Sequence, residues 1–237
     1  MIISYAQAAE DVMLHRALHH VHYSEGFYVD VGAYHPTTDS VTKHFYDHGW
    51  RGVNIEASRE LFGAFISDRP RDVNLHAAVT DQPGEVTFHQ VAGQLGTLED
   101  RVAETHSRAG ISMESYTVPA VTLTEIFEKH TPRDVHFLKI DVEGHEASAL
   151  RGMDFRRFRP WVLAIEATEP NRHDLLTHHE WEGIIISAGY QLGCADLPNR
   201  YYVANEHREL LPALSVPVDR YMLANVHAEI AELRARM

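Results

Sequence analysis

A single α/β domain built on a mostly parallel sheet is what this sequence predicts, and three observations predict it. Apolar runs rich in β-branched and aromatic residues alternate with capped, helix-like stretches along nearly the whole chain, the signature of strands joined by helical crossovers. Runs such as "GFYVDVG" (26–32) read as strands buried on both faces, which is the setting of a parallel sheet. The last two runs, "YQLGCAD" (190–196) and "RYYVAN" (200–205), leave no room for a helix between them, so they form an antiparallel hairpin at one edge. With 237 residues the chain is long enough for one sizeable core and short for two. It shows no internal repeat, low-complexity tract or linker.

The elements follow in order. After the strand at 26–32, "TTDSVTKHFYDHG" (37–49) has a Ser/Thr/Asp start and a Gly stop and predicts a helix. "RGVNIEA" (51–57) is the next strand, and 58–68 the next helix, with Leu61, Phe62, Phe65 and Ile66 on one face. A third strand is expected over 73–80, and an added one over 86–91 after the "DQPGEV" turn. Residues 92–117 are polar and weakly patterned. They read as an insertion, either a substrate-facing loop with a short helix or a plain surface excursion. Alternation then resumes: helix 121–130, strand 135–141, helix 144–153, strand 161–167 and helix 178–189. The tail, 222–237, is amphipathic, with Val226, Ile230 and Leu233 at helical spacing. It is expected either to join two copies of the chain or to cap its own core.

Composition removes several classes. A formal net charge of −13 argues against nucleic acid and anionic membrane surfaces as partners. No apolar run approaches the ~18 residues that span a bilayer, and the N-terminus lacks the pattern of a secretory signal, so the expected location is the cytoplasm. One cysteine, Cys194, permits no internal disulfide and fits a reducing compartment. The 18 histidines include no HExxH spacing and no Cys/His cluster of zinc type, and most read as surface residues.

In an open parallel sheet, ligands sit beyond the carboxyl ends of the strands, near the point where strand order reverses. Here those ends are acidic: Asp30 before Gly32, Glu56, Asp81, Asp141 with Glu143, and Glu166. A dinucleotide is a poor match. The first loop, "DVGAYHP", has one glycine where a pyrophosphate wants three, and Asp30 would repel it. S-adenosylmethionine, a cation without phosphate, suits an acidic rim. Asp30, Gly32 and the adjoining Ala33 would meet its amino-acid end, Glu56 with Ala57 its ribose hydroxyls, and Asp81 the neighbourhood of its adenine.

"YVDVGAYHP", "GWRGVNIEAS", "FLKIDVEGHE" and "LAIEATEPN", with "SYAQAAED" near the start and "NRYYV" near the end, together resemble the FkbM-type S-adenosylmethionine-dependent methyltransferases over most of the chain. The resemblance implies a Rossmann-like methyltransferase fold and methylation of an oxygen. In such families the substrate is often a hydroxyl of a sugar or of a secondary metabolite. It also implies that residues 1–25 fold over the cofactor, with Tyr5 and Gln7 among its contacts.

An alcohol attacking a sulfonium must lose its proton, which calls for a general base, a metal ion, or both. Asp141 ends one strand and Glu166 the next, and with Glu169 they offer three oxygen ligands suited to magnesium. His145 is a candidate base because its ordinary pKa suits neutral pH, and Glu143 is its rival, with Asp141 beside them. Glu143 and Glu146 also have a plainer reading as first-turn helix acids. For the acceptor, expected to be a small molecule or oligosaccharide, the candidates are His35, Lys139, Asn199, Arg200 and Tyr201. Lys139 has a second reading as a cation that neutralises a carboxylate, and strand alternation puts Tyr201 and Tyr202 on opposite faces. Three functions remain open: methylation of a sugar or glycoside hydroxyl, methylation of a polyketide-like hydroxyl, and a non-catalytic binding module on the same fold.

Overall fold

The computed structural model describes residues 2–91, 96–99, 103–104, 110–170 and 172–218. Its centre is a run of five parallel strands: β1 (Phe27–Val31), β2 (Arg51–Glu56), β3 (Val73–His76), β8 (Phe137–Ile140) and β9 (Val162–Glu166). β12 (Tyr190–Ala195) and β13 (Asn199–Ala204) close it as the expected antiparallel hairpin, with β13 paired to β9 and β12 at the edge. The order is β12-β13-β9-β8-β1-β2-β3, so the chain reverses direction of growth between β1 and β8. Loops leaving those two strands diverge, which opens a crevice at their carboxyl ends.

Alternate residues of each strand feed two cores. Val29, Val31, Leu138, Ile140, Leu163 and Ile165 pack on one face. Tyr28, Phe137, Val162 and Ala164 pack on the other, against Met13 and Leu14 of helix α1 (Glu10–Leu18). Burying each such side chain contributes about 1.5–3 kcal/mol, so the strands are fixed firmly beneath the crevice.

A second, four-stranded sheet departs from the expected pattern. The predicted strand 73–80 breaks at Ala77: β3 stays in the main sheet, while β4 (Ala78–Val79) pairs with β7 (Met113–Val121). β5 (Gly84–Val91) lies between β7 and β6 (Gly96–Thr97), in the order β4-β7-β5-β6. The insertion 92–117 therefore contributes strand at both described ends rather than only loop and helix. A further short hairpin, β10 (Thr168–Glu169) with β11 (Arg172–Leu176), follows β9 and was not expected.

Two helices are shorter than predicted. In 37–49 only α2 (Lys43–Asp47) is helical. Upstream donors have other partners: the Thr37 and Thr38 N–H groups donate to His35 Nδ1, and Ser40 N–H donates to the Tyr5 carbonyl. In 178–189 a 3-10 turn (His178–Glu180) precedes the helix Glu182–Ser187. Helix α3 (Arg59–Asp68) matches its prediction, capped by Ser58, whose hydroxyl accepts Leu61 N–H at 3.2 Å. Only Phe65 of its expected apolar face is fully buried. Ile66, one step of about 100° further round, is 59% exposed. The predicted helix 222–237 lies outside the described residues. Among the described residues no helix is long and apolar enough to cross a membrane.

Candidate active site

The crevice holds a cavity of about 330 Å³, within the range typical of small-molecule sites. One wall is apolar, made by Ile55, Leu61, Ala77, Val79 and Phe88. The other carries acids from the ends of β8 and β9: Asp141, Glu143 and Glu166.

Glu56 ends β2 between these walls. Its Oε2 accepts the Tyr34 N–H at 2.8 Å and its Oε1 the Ser58 N–H at 2.7 Å. A carboxylate has about four lone-pair sites, so two remain for a ligand. Burial, partly offset by those two N–H groups, pushes its pKa up to about 7.

The loops after β1 and β8 touch directly. Gly32 has φ 71°, and a Cβ there would fall 1.7 Å from the Asp141 carbonyl oxygen, so only glycine fits. Lys139 ties the same two loops: its Nζ donates to the Gly32 carbonyl at 2.5 Å and lies 3.4 Å from Asp30 Oδ1 and 3.5 Å from Asp141 Oδ2. Burial opposes the ammonium charge, but Asp141 and Asp30 outweigh it and hold the pKa above its ordinary value.

Past Asp141 the chain makes a strained turn. Glu143 has φ 52°, a left-handed conformation uncommon outside glycine. Tyr34 and Asp39, with φ 57° and 51°, share this feature and also line the cavity. Such strain gathers at sites where geometry is over-determined by the surroundings. Glu146 holds the turn, its Oε1 accepting Val142 N–H at 3.0 Å and Gly144 N–H at 3.2 Å. Burial, then Asp141 and Glu146, push the Glu143 pKa up to about 8. Burial, then Asp141, Glu143 and Glu146, push Glu166 upward as well. Glu166 Oε1 is reached by Thr168 Oγ1 at 3.4 Å, whereas its buried Oε2 has no hydrogen-bond partner.

Two flanking segments narrow the mouth. In the first, Asp11 gathers the chain by accepting Ser4 Oγ and Tyr5 N–H, both at 2.7 Å. Glu10 then anchors this strap to β13: its Oε2 accepts Ala8 N–H and its Oε1 accepts Asn199 Nδ2 at 2.8 Å. In the second, the β6 region docks on the strained turn. Thr97 Oγ1 donates to the Glu143 carbonyl at 3.1 Å, and Glu99 Oε1 meets His145 Nδ1 at 2.8 Å.

The expected site residues divide accordingly. Gln7, Gly32, Glu56, Ala57, Lys139, Asp141, Glu143 and Glu166 share the cavity wall. Others lie elsewhere. Asp30 is buried behind Gly32, where it accepts Thr42 Oγ1 at 3.2 Å, and Ala33 turns inward, its N–H donating to the Ile55 carbonyl. The Tyr5 ring sits under the Lys43 ammonium, outside the cavity lining. Asp81 is carried past the cavity by the switch of sheets at Ala77 and faces Arg151 in a separate cleft, and Ala77, Ala78 and Val79 take the wall instead. His145 turns to Glu99 rather than to the cavity, which leaves Glu143 as the candidate base. Lys139 is engaged by both loops, so of its two readings the neutralising one fits.

The expected acceptor contacts scatter. His35 uses its ring to hold the Thr37 and Thr38 N–H groups. Arg200 pairs with Glu182 at 2.8 Å, and Asn199 serves Glu10. Tyr201 is fully buried in the α1-side core, because β13 lies inside the sheet with both faces covered. Of the expected magnesium triple, Asp141 and Glu166 share the cavity wall. Glu169 is not on the cavity wall, and among the described residues no group of three His, Cys, Asp or Glu side chains is arranged to hold a metal ion. Glu10, Tyr34 and Asp39 are wall residues that sequence reasoning missed as site residues. Glu10 was within reach, because it stands in the "SYAQAAED" motif.

Sheet order and an acid-lined pocket at the switch point define the class: a doubly wound α/β protein with a ligand crevice in the standard place. The model of the methyltransferase FkbM domain matches residues 30–192, more than half of the chain, and the protein belongs to that methyltransferase family. No curated protein matches the sequence. Among solved structures, precorrin-6y C5,15-methyltransferase from Geobacter metallireducens GS-15 is similar at 11% identity, over 82% of this chain and 85% of its own, with a TM-score of 0.44. That likeness is too loose to bear on the site.

Proposed function

We propose that the protein transfers a methyl group from S-adenosylmethionine to a hydroxyl oxygen of a sugar, glycoside or polysaccharide, with Glu143 as the general base. The observation that carries this reading is the pairing of an acid held by two backbone donors, Glu56, with a crowd of acids across the cavity, Asp141, Glu143 and Glu166. The donor set suits the cofactor. Two free lone-pair sites on Glu56 match a vicinal diol, the apolar wall suits a flat base, and carboxylates favour a cation.

When bound, S-adenosylmethionine supplies a methyl group on a positively charged sulfur. The protein's own residues do the rest. Glu143 accepts the hydroxyl proton, and its raised pKa places that exchange close to neutral pH. Lys139 fixes Asp141 and the Gly32 loop against each other. The strap and the β6 region limit water around the reacting atoms. No step is assigned to a metal. We also take the protein to be cytoplasmic, in keeping with its lone free thiol, Cys194.

A screen of unmethylated and partly methylated saccharides with labelled cofactor tests the reading. The expected result is label on one hydroxyl oxygen of a saccharide. Label on a polyketide-like alcohol alone would move the substrate to that class. Cofactor binding with no transfer to any alcohol would make the protein a binding module.

A further inference from the structure

Among the described residues, the Glu166 side chain meets Thr168 Oγ1 and the Asp141 carboxyl and holds no backbone N–H. It ends β9 on the cavity wall, 7% exposed, and its buried Oε2 lacks a hydrogen-bond partner. The other two well-buried wall acids differ. Glu56 holds two backbone N–H groups, and Glu10 holds Ala8 and Asn199. Around Glu166, Thr168 Oγ1 reaches Oε1 at 3.4 Å, and the Asp141 carboxyl lies within hydrogen-bond reach, a contact that needs a proton shared between the two acids. A buried acceptor left without a donor is unfavourable, so this oxygen is the place where a ligand hydrogen fits best.

The same wall sets a charge rule. Glu10, Asp39, Glu56, Asp141, Glu143 and Glu166 line the cavity, and among the described lining residues the cation is Lys139, already engaged by Asp30 and Asp141. Among the described lining residues no unengaged cation would compensate an anionic substituent. Resting on the saccharide reading above, we infer that Glu166 is a specificity-determining residue that accepts a hydrogen from a second hydroxyl of the acceptor, and that this wall restricts acceptors to uncharged or cationic polyols. Sugar phosphates and uronates are refused because no unengaged cation among the described wall residues offsets the desolvation of an anion.

Two measurements test this. The first compares each neutral methyl hexoside with its uronide and its 2-amino partner on the unaltered protein, reading methyl transfer. The neutral or amino member of each pair should exceed the uronide by about tenfold or more in kcat/KM. Equal or better use of the uronide overturns the inference. A panel in which no member is methylated overturns the saccharide reading itself, and the inference with it. The second uses Glu166→Leu and Glu166→Gln with a methylated panel member and with S-adenosylhomocysteine. The leucine variant should raise acceptor KM about tenfold or more while the nucleoside Kd stays within about twofold, and glutamine should recover most of the loss. If the leucine variant weakens the nucleoside as much as the acceptor, Glu166 belongs to the cofactor's ammonium end and the inference fails. It also fails if neither constant moves. Should the leucine variant not fold, the paired acceptors still decide.

Discussion

The two sides of the crevice carry similar acids with different partners. On the β1–β2 side, Asp30 and Glu56 are held by the protein, one by Thr42 and Lys139 and the other by two backbone N–H groups. On the β8–β9 side, Asp141, Glu143 and Glu166 mostly face one another, and Glu166 keeps an oxygen without a partner. A carboxylate fixed by two donors is rigid and keeps lone pairs with which to hold a ligand. Burial raises the pKa of Glu56 as well, but two N–H groups partly offset it there, whereas at Glu143 and Glu166 neighbouring acids add to it, which suits proton exchange. The division of labour proposed here follows from that contrast.

The largest expected effect breaks the crowded side. Glu143→Gln removes the base and should lower kcat by about a hundredfold to ten-thousandfold with cofactor affinity unchanged, measured by steady-state methyl transfer. The unaltered enzyme should show the matching pH profile. The base works only when ionised, so kcat rises with pH and levels off above about 8, under the influence of Asp141, Glu146, Glu166 and Lys139 around it. A variant as fast as the parent would end the assignment.

Next comes the bridge between the two sides. Lys139→Met leaves Asp30 and Asp141 without their cation, and removing one partner of a buried ion pair destabilises by about 3–5 kcal/mol. A large drop in thermal midpoint is expected, and an unchanged midpoint would show that the loops after β1 and β8 are held by other means. The smallest effect sharpens the contrast from outside. His145→Asn breaks only the half-buried contact with Glu99, so stability should fall by no more than about 1 kcal/mol and turnover should persist. A collapse of kcat would return His145 to the chemistry.

How much of this was legible in the sequence depended on what each residue answers to. The central strands announced themselves because burial on both faces leaves a continuous apolar run, and the acids at their ends were visible for the same reason. The "SYAQAAED" stretch is expected beside the cofactor from the family resemblance; it reaches the cavity through Gln7 and Glu10 rather than Tyr5. What was not legible depended on partners distant in sequence. Nothing local marks Ala77 as the point where one sheet gives way to another, and that switch removed Asp81 from the cavity. The pattern in 37–49 cannot show that His35 and Tyr5 claim its backbone groups. His145 and Glu143 stand two residues apart, and only the left-handed turn at 143, with Glu99 arriving from the second sheet, separates their surroundings.

The most direct test of the contrast is a parallel calorimetric titration of S-adenosylmethionine into the unaltered protein, Glu56→Gln and Glu166→Leu. The Glu56 variant should bind about tenfold or more weakly and the Glu166 variant should bind like the parent. Equal loss in both, or full affinity in the Glu56 variant, would contradict the contrast.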